Sequence, residues 1–348
     1  MAKRRGTPAR RPKGKKRPSK GGGLLRLLGW AGLGLAAGAL LARRGERQAP
    51  AGGQGGEAPA RRMGAEASPG KKQPTARPAE TQDLDLPAAA ESAWIPGPSG
   101  SLRLAELHAS APMAVVFVHG LGGSLDHWGA LLSKFGPGLR GVALDLPGHG
   151  ESDGVSFTVP DLAAAIGAVV DALSLRRFVL VGHSLGAAAA IEYAAGNGPR
   201  VAGLFLVDPN GDQTQLPARE RRGVLEAMAE DAHGELEWAY RQFLTDAPAD
   251  VTARVLRQLR ETPADVLRGC LDAAFDYSPI PRLAAYEGPV RSLVSPLNDL
   301  PYSLHRLRPD LPYRELRGTG HWLMMERPAE VFSDLADFLD AARPRFLT

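Results

Sequence analysis

Residues 178–186 read Phe-Val-Leu-Val-Gly-His-Ser-Leu-Gly, and this stretch decides the fold that the chain is expected to adopt. The apolar run that opens it is typical of a buried strand, and Ser184 follows between Gly182 and Gly186. Glycine at these two positions leaves room for a sharply bent backbone, and the four alanines 187–190, followed by Ile191, predict a buried helix close to a sheet. The pattern therefore predicts a strand, a tight turn and a helix, with the serine hydroxyl projecting from the turn.

The segments on either side predict an alternation of strands and helices. Further strand candidates are short apolar or β-branched runs bounded by turn residues: 114–118, 141–145, 201–207, 290–294 and 313–316. Thr158 is a candidate N-cap, because apolar residues at helical spacing follow it, and residues 328–342 predict a closing helix. Strands that alternate with helices favour a mostly parallel sheet covered on both faces.

Four short motifs follow one another between about residue 94 and residue 343. They are His119-Gly120, residues 145–152 (Asp-Leu-Pro-Gly-His-Gly-Glu-Ser), residues 182–186 and residues 320–322 (Gly-His-Trp). In this order they resemble the α/β-hydrolase superfamily. The resemblance implies an α/β-hydrolase fold, which is a mostly parallel, doubly wound sheet with an inserted helical cap.

The chemistry expected of these motifs is nucleophilic acyl transfer. A serine hydroxyl is a weak nucleophile at neutral pH, so it needs a base within reach and a third group that orients the base. By resemblance, Ser184 is the nucleophile and His321 is the base; the alternatives are a serine that caps a helix and a histidine in a surface loop. His119 is expected to brace its loop, and His149 and His183 to pack or hydrogen-bond locally.

The third member of the triad has more than one candidate. The family usually places its acid after the strand predicted at 290–294, where Asn298 and Asp299 compete. Asp299 is favoured because only a carboxylate stabilises the imidazolium that forms in the reaction. Asp208, which ends the strand predicted at 201–207, is the alternative, since some members of the family carry the acid there.

A tetrahedral oxyanion needs two hydrogen-bond donors held in place. The backbone amide of Leu185 lies at the start of the predicted helix, where the helix dipole favours negative charge. By resemblance, the amide of Leu121 is the second donor. The expected reaction uses no cofactor and no metal.

Residues 209–288, approximately, interrupt the alternation with sequence that does not predict a sheet. Helices are predicted at 217–231, 235–245, 250–261 and 263–275. The resemblance places a cap over the nucleophile here, and such a cap decides which acyl and leaving groups fit. Its large aromatic residues either line the pocket or pack in the core, and helical spacing favours the core: Trp238, Tyr240, Phe243, Phe275 and Tyr277.

The N-terminal region has a different composition. Residues 1–23 hold ten Lys or Arg and no acid, which predicts a disordered basic tail. In residues 24–42, all residues after Arg26 are apolar or glycine, so we expect one membrane-spanning anchor, with a cleaved signal peptide or a non-spanning segment as alternatives. Residues 43–93 predict a disordered linker.

The N-terminal region and the predicted hydrolase domain, residues 94–343, carry net charges of opposite sign. Residues 1–95 carry a formal charge of +12 and the remainder carries −8. The negative charge of the catalytic domain argues against a nucleic-acid substrate, while the basic tail suits the anionic surface of a membrane. We expect a membrane-anchored protein with its catalytic domain outside the cytoplasm; a secreted or a cytoplasmic protein is the alternative.

The motifs predict a serine hydrolase of the esterase or lipase type. The expected substrate is a small or lipid-like molecule with a carboxylic ester or a related acyl bond. Other chemistries on the same scaffold stay open: a C–C bond hydrolase, a lactonase, a cofactor-free haloperoxidase and an acyltransferase. A catalytically silent binding protein is the alternative outside the enzymes.

Overall fold

Eight strands form one sheet in the computed structural model, which describes residues 85–154 and 157–346. The strands are β1 (Glu91–Gly97), β2 (Gly100–Leu107), β3 (Met113–Val118), β4 (Leu139–Leu144), β5 (Phe178–His183), β6 (Val201–Val207), β7 (Val290–Val294) and β8 (Tyr313–Glu315). Their order across the sheet is β1-β2-β4-β3-β5-β6-β7-β8. β3 to β8 run parallel to their neighbours among themselves, and β2 joins this part antiparallel to β4.

The mostly parallel sheet is confirmed, and so is the covering of both its faces. Every residue of β3, β5 and β6 is buried. Because successive side chains of a strand point to opposite faces, burial of all of them requires packing on both sides. The antiparallel hairpin of β1 and β2 was not predicted, and its outer strand is largely exposed.

Ten α-helices lie between or after the strands in the described ranges. They are α1 (Gly129–Leu132), α2 (Val159–Ala172), α3 (Leu185–Gly196), α4 (Ala218–Phe243), α5 (Ala249–Glu261), α6 (Ala264–Asp276), α7 (Pro279–Ala285), α8 (Leu304–Leu307), α9 (Leu323–Glu326) and α10 (Pro328–Ala342). Thr158 caps α2 as predicted, since its side chain accepts a hydrogen bond from the amide of Asp161 at 3.2 Å.

The cap is formed by α4 to α7, between β6 and β7. The helices predicted at 217–231 and 235–245 are the two halves of α4, which bends at Asp231, where φ is −153° and ψ is 85°. Helix α7 was not predicted. The cap is thus inserted between two neighbouring strands of the sheet, and residues 208–217 connect β6 to its first helix.

The N-terminal end of the described chain lies against the cap. Asp85 forms an ion pair with Arg254 of α5, and Leu86 packs against the hydrophobic core. The linker predicted at 43–93 therefore overlaps the folded part, since β1 begins at Glu91. Within the described ranges, we find no helix with the length and apolar character needed to cross a membrane. The tail and anchor predicted at 1–42 lie outside those ranges.

Candidate active site

The tight turn predicted at Ser184 joins β5 to α3. Ser184 has φ 52° and ψ −117°, a strained conformation for a residue with a side chain. A Cβ atom at Gly182 would lie 2.5 Å from the carbonyl oxygen of Gly186, and one at Gly186 would lie 2.3 Å from that of His119. Both glycines are therefore required by close backbone contacts, and the turn presents the serine at the carboxyl end of the sheet.

The neighbouring strand β6 brings its own end beside this turn. His183 is in register with Val207, and the amide of Ser184 donates to the carbonyl of Val207 at 3.2 Å. The next residue, Asp208, therefore follows β6 beside the nucleophile. The Ser184 hydroxyl itself donates to Oδ1 of Asn210 at 3.1 Å, in the loop that continues from Asp208.

A buried carboxylate and a buried histidine meet at this edge of the sheet. Nδ1 of His321 lies 2.6 Å from Oδ2 of Asp208. An ionised carboxylate only accepts hydrogen bonds, so the proton of the neutral imidazole lies on Nδ1, and Nε2 keeps a free lone pair. This is the tautomer in which a histidine can take a proton from a hydroxyl.

Two residues of the loop after β7 also hold the Asp208 carboxylate. The Ser295 amide donates to Oδ1 at 2.7 Å, and the Ser295 hydroxyl donates to Oδ2 at 3.0 Å. Nδ2 of Asn298 donates to Oδ1 at 3.1 Å. With His321, these donors supply four hydrogen bonds, which is how proteins tolerate a buried charge.

The expectation that Asp299 contacts His321 is wrong. Asp299 is exposed, and its carboxylate accepts from the Arg306 guanidinium at 2.7 Å. Hydrogen bonding from Arg306 lowers the pKa of Asp299. Nε2 of His305 lies 3.7 Å from Oδ1 of the same carboxylate. The structure instead brings together His321 and the alternative acid, Asp208, because the loop after β7 contributes amide and hydroxyl donors where the family usually has its acid.

Glu326 is a residue of the site that the motifs did not reveal. Its buried carboxylate accepts from the amides of Gly320 and Trp322, at 2.7 Å and 3.2 Å, on either side of His321. Burial is the largest influence on Glu326 and raises the pKa of this carboxyl. Nε2 of His183 also lies 2.9 Å from the His321 carbonyl oxygen, so Glu326 and His183 both hold the backbone around His321.

His119 is placed as a brace for the loop after β3. Its Nε2 accepts from the amide of Leu146 at 3.0 Å, so Nδ1 carries the proton and donates to the carbonyl of Gly120 at 2.8 Å. Burial lowers the pKa of His119 well below its ordinary value, and that of His149 to about 4. Both side chains are thus fixed as neutral hydrogen-bonding groups.

The two amides expected to act as oxyanion donors belong to segments next to Ser184. Leu185 is the first residue of α3, so its amide has no acceptor within the helix. The loop of Leu121 passes close by, since a Cβ atom at Gly120 would lie 3.0 Å from Cβ of Ser184. Within the part of the chain that the structure describes, no three metal-binding side chains form a cluster.

Helix α4 brings aromatic side chains of the cap to the base. The ring centroids of Phe243 and His321 lie 5.9 Å apart, edge to face, and those of Tyr240 and Trp322 lie 4.9 Å apart. Phe243 and Tyr240 are buried, as is Phe275 on α6. These three side chains therefore pack in the core, as helical spacing favours, and Phe243 also lies next to His321.

Comparison with known proteins shows the family to which the chain belongs. A family model described as the alpha/beta hydrolase family matches residues 115–335. The chain is similar to the dihydrolipoyllysine-residue acetyltransferase component of the acetoin cleaving system of Pseudomonas putida, 29% identical over 252 residues, which are 68% of this chain and 66% of that protein. The chain thus spans slightly less than two thirds of the length of this relative.

Two further proteins resemble the chain over most of their length. The 2-succinyl-6-hydroxy-2,4-cyclohexadiene-1-carboxylate synthase of Serratia proteamaculans is 26% identical over 245 residues, 65% of this chain and 92% of the synthase. A thermophilic esterase from Thermogutta terrifontis superposes with a TM-score of 0.62 over 73% of this chain and 99% of the esterase. At 20% identity, the likeness to the esterase shows the fold alone.

Proposed function

The chain belongs to the alpha/beta hydrolase family, and from that premise we propose that it is a serine hydrolase that cleaves a carboxylic ester or a related acyl bond. The observation that carries this proposal is the 2.6 Å contact between His321 and Asp208 beside the strained turn of Ser184. A silent binding protein would not need a buried carboxylate with four donors, a base in the competent tautomer and a strained serine in one place.

In the proposed reaction, Ser184 Oγ attacks the acyl carbon while Nε2 of His321 takes the hydroxyl proton. The Ser184 hydroxyl first leaves Asn210, its partner in the structure, and turns to His321. Asp208 stabilises the imidazolium, and the amides of Leu121 and Leu185 stabilise the oxyanion. The imidazolium then protonates the leaving alcohol, and water, activated by the same histidine, releases the acid and frees the serine.

Partitioning of the acyl group tests the covalent intermediate. In buffer with methanol, p-nitrophenyl and phenyl esters of one acid are expected to give the same ratio of methyl ester to free acid. Both substrates form one acyl-enzyme, which does not retain the leaving group. Ratios that differ between the two esters would contradict an acyl-enzyme, and absence of turnover on a panel from acetate to laurate would contradict the ester specificity.

The position of Phe243 predicts a change in acyl selectivity. Phe243→Ala is expected to shift the preferred acyl length upward by a few carbons, because it removes a ring beside His321. Each added carbon contributes about 1 kcal/mol or more to discrimination. The measurement is kcat/KM over p-nitrophenyl esters of increasing chain length.

Phe275→Ala is the matched control, since it removes a phenylalanine ring that α6 buries in the hydrophobic core. This variant is expected to lower the free energy of unfolding by about 3–5 kcal/mol and to leave the profile of acyl length unchanged. If kcat/KM fell by the same factor at all chain lengths in both variants, the acyl pocket would lie away from Phe243.

The sequence also supports a proposed membrane attachment through residues 24–42. Full-length protein is expected to sediment with membranes and to resist carbonate extraction, since the sixteen residues 27–42 are all apolar or glycine. A chain that lacks residues 1–84, and so keeps the Asp85–Arg254 pair, is the control and is expected to stay in solution with full activity on small esters. Full-length protein of unprocessed mass in the soluble fraction would contradict the anchor.

A further inference from the structure

The loop after β3, residues 119–124, carries the proposed oxyanion donor of Leu121, and we call it the oxyanion loop. The body of the domain holds the loop near both ends. At the start, the His119 side chain accepts from the amide of Leu146, and just beyond the end, the amide of Leu125 donates to Oδ1 of Asp145 at 2.6 Å. Between these points, the amide of Gly123 donates to the carbonyl of Gly120 at 3.2 Å within the loop itself, and the cap makes further contacts.

The cap holds the middle of the oxyanion loop through two helices. The Tyr240 hydroxyl on α4 donates to the carbonyl of Leu121 at 2.6 Å. Nε2 of Gln258 on α5 donates to the hydroxyl of Ser124 at 2.7 Å. Both cap side chains are buried, so water does not readily replace either hydrogen bond.

A van der Waals contact lies between these two hydrogen bonds. Gly122 has φ 65°, and a Cβ atom there would lie 2.9 Å from Cδ1 of Leu259 on α5. Leu259 is fully buried. Cap residues therefore contact the loop at three of the four positions from 121 to 124.

Tyr240 is well suited to hold the loop. Burial raises the pKa of Tyr240 above its usual range, so the hydroxyl stays protonated and continues to donate. Its ring also packs edge to face on Trp322, the residue after the proposed base. One cap side chain thus touches both the loop of the oxyanion donor and the loop of His321.

We propose that the cap positions the oxyanion hole, and that Tyr240 and Gln258 are positioning residues for the amide of Leu121. The hydrogen bond to the carbonyl of Leu121 fixes the peptide unit that joins Leu121 to Gly122. The amide of Leu121 belongs to the preceding peptide unit, and the two units share the Cα atom of Leu121, so holding one restricts the movement of the other. This inference rests on the proposed function and adds to it: the cap sets the rate of the chemical step as well as the choice of acyl group.

Tyr240→Phe in the full chain tests the proposal, because it removes one oxygen atom and keeps the ring. With p-nitrophenyl acetate, kcat is expected to fall about tenfold with KM within twofold of wild type. This is a fraction of the 10²–10³-fold loss that follows removal of an oxyanion donor. Affinity for an octyl trifluoromethyl ketone, whose adduct with Ser184 carries an oxyanion, is expected to fall by the same factor as kcat.

Tyr286→Phe is the matched control. Its buried hydroxyl also donates to a backbone carbonyl, that of Val201 at 2.9 Å, but at the opposite end of β6 from Asp208. This variant is expected to keep the kcat and the ketone affinity of the wild type. Hydrogen exchange of residues 119–124 gives a readout independent of activity, and it is expected to accelerate in Tyr240→Phe alone.

The outcomes separate this inference from the proposed function. If the wild type turns over no ester, the proposed function fails, and the exchange measurement still decides whether the cap holds the loop. If the wild type is active and Tyr240→Phe keeps kcat, ketone affinity and exchange within twofold, the inference is overturned. Should Tyr240→Phe not fold, Gln258→Met decides: a loss of about fivefold in kcat with KM unchanged is expected, and wild-type kcat would overturn the inference.

Discussion

Ser184→Ala is expected to lower kcat by roughly 10⁵-fold or more, because the proposed reaction has no other nucleophile. His321→Ala is expected to have a similar effect, since a serine without its base stays a weak nucleophile. When two residues act as one catalytic unit, replacing either of them removes most of the rate enhancement. The kcat of the double variant is therefore expected to lie within about tenfold of the kcat of either single variant. The measurement is kcat on a short p-nitrophenyl ester.

Ser333→Ala, at an exposed serine of α10, is the matched control and is expected to keep wild-type turnover. Circular dichroism and thermal unfolding of each variant separate loss of chemistry from loss of fold. Ester turnover near the wild-type rate in a folded Ser184→Ala variant would end the serine hydrolase account.

Asp208→Asn is expected to lower kcat by about 10⁴-fold. The amide that replaces the carboxylate can no longer accept from every one of its four donors, and it does not stabilise the imidazolium of His321. The same replacement at Asp299 is the matched control and is expected to change kcat less than threefold, because Asp299 pairs with Arg306 at the surface. A harmless Asp208→Asn together with a crippling Asp299→Asn would contradict the assignment of the acid.

The parallel part of the sheet and the turn at Ser184 could be predicted because local sequence determines them. Residues 178–181 of β5 and 204–207 of β6 are continuous apolar runs. A Cβ atom at Gly182 or Gly186 would lie about 2.5 Å or less from a backbone oxygen, so neither position accepts a side chain. The hairpin of β1 and β2 was missed because it lies at the edge of the sheet. With its outer strand exposed, it lacks the apolar run that marks a buried strand.

The acid could not be assigned from the sequence because the choice depends on contacts between two loops. Asp208 and Asn298 are ninety residues apart, and nothing local shows that the Asn298 amide donates to Asp208. The turn after β7, which has a proline and no glycine, was the available signal that this loop departs from the family's pattern. Asn298 was considered only as a rival for the acid, whereas in the structure it donates to Asp208, the proposed acid.

The contacts of the cap could not be predicted from the sequence for the same reason. Helical periodicity marks Tyr240 and Phe243 as buried residues, but it does not say which loop they meet. The contacts of Tyr240 with Leu121 and of Phe243 with His321 join residues far apart in the chain. The sequence analysis expected the cap to set selectivity, and the contact of Tyr240 with Leu121 is the basis for the proposed influence on the rate as well.

Labelling with a fluorophosphonate probe, followed by mass spectrometry of the digested protein, tests the central claim most directly. The account predicts a single adduct on Ser184 that forms at the wild-type rate in Asp299→Asn and far more slowly in His321→Ala and Asp208→Asn. An adduct on another residue, or ester turnover that persists with Ser184 unlabelled, would contradict it.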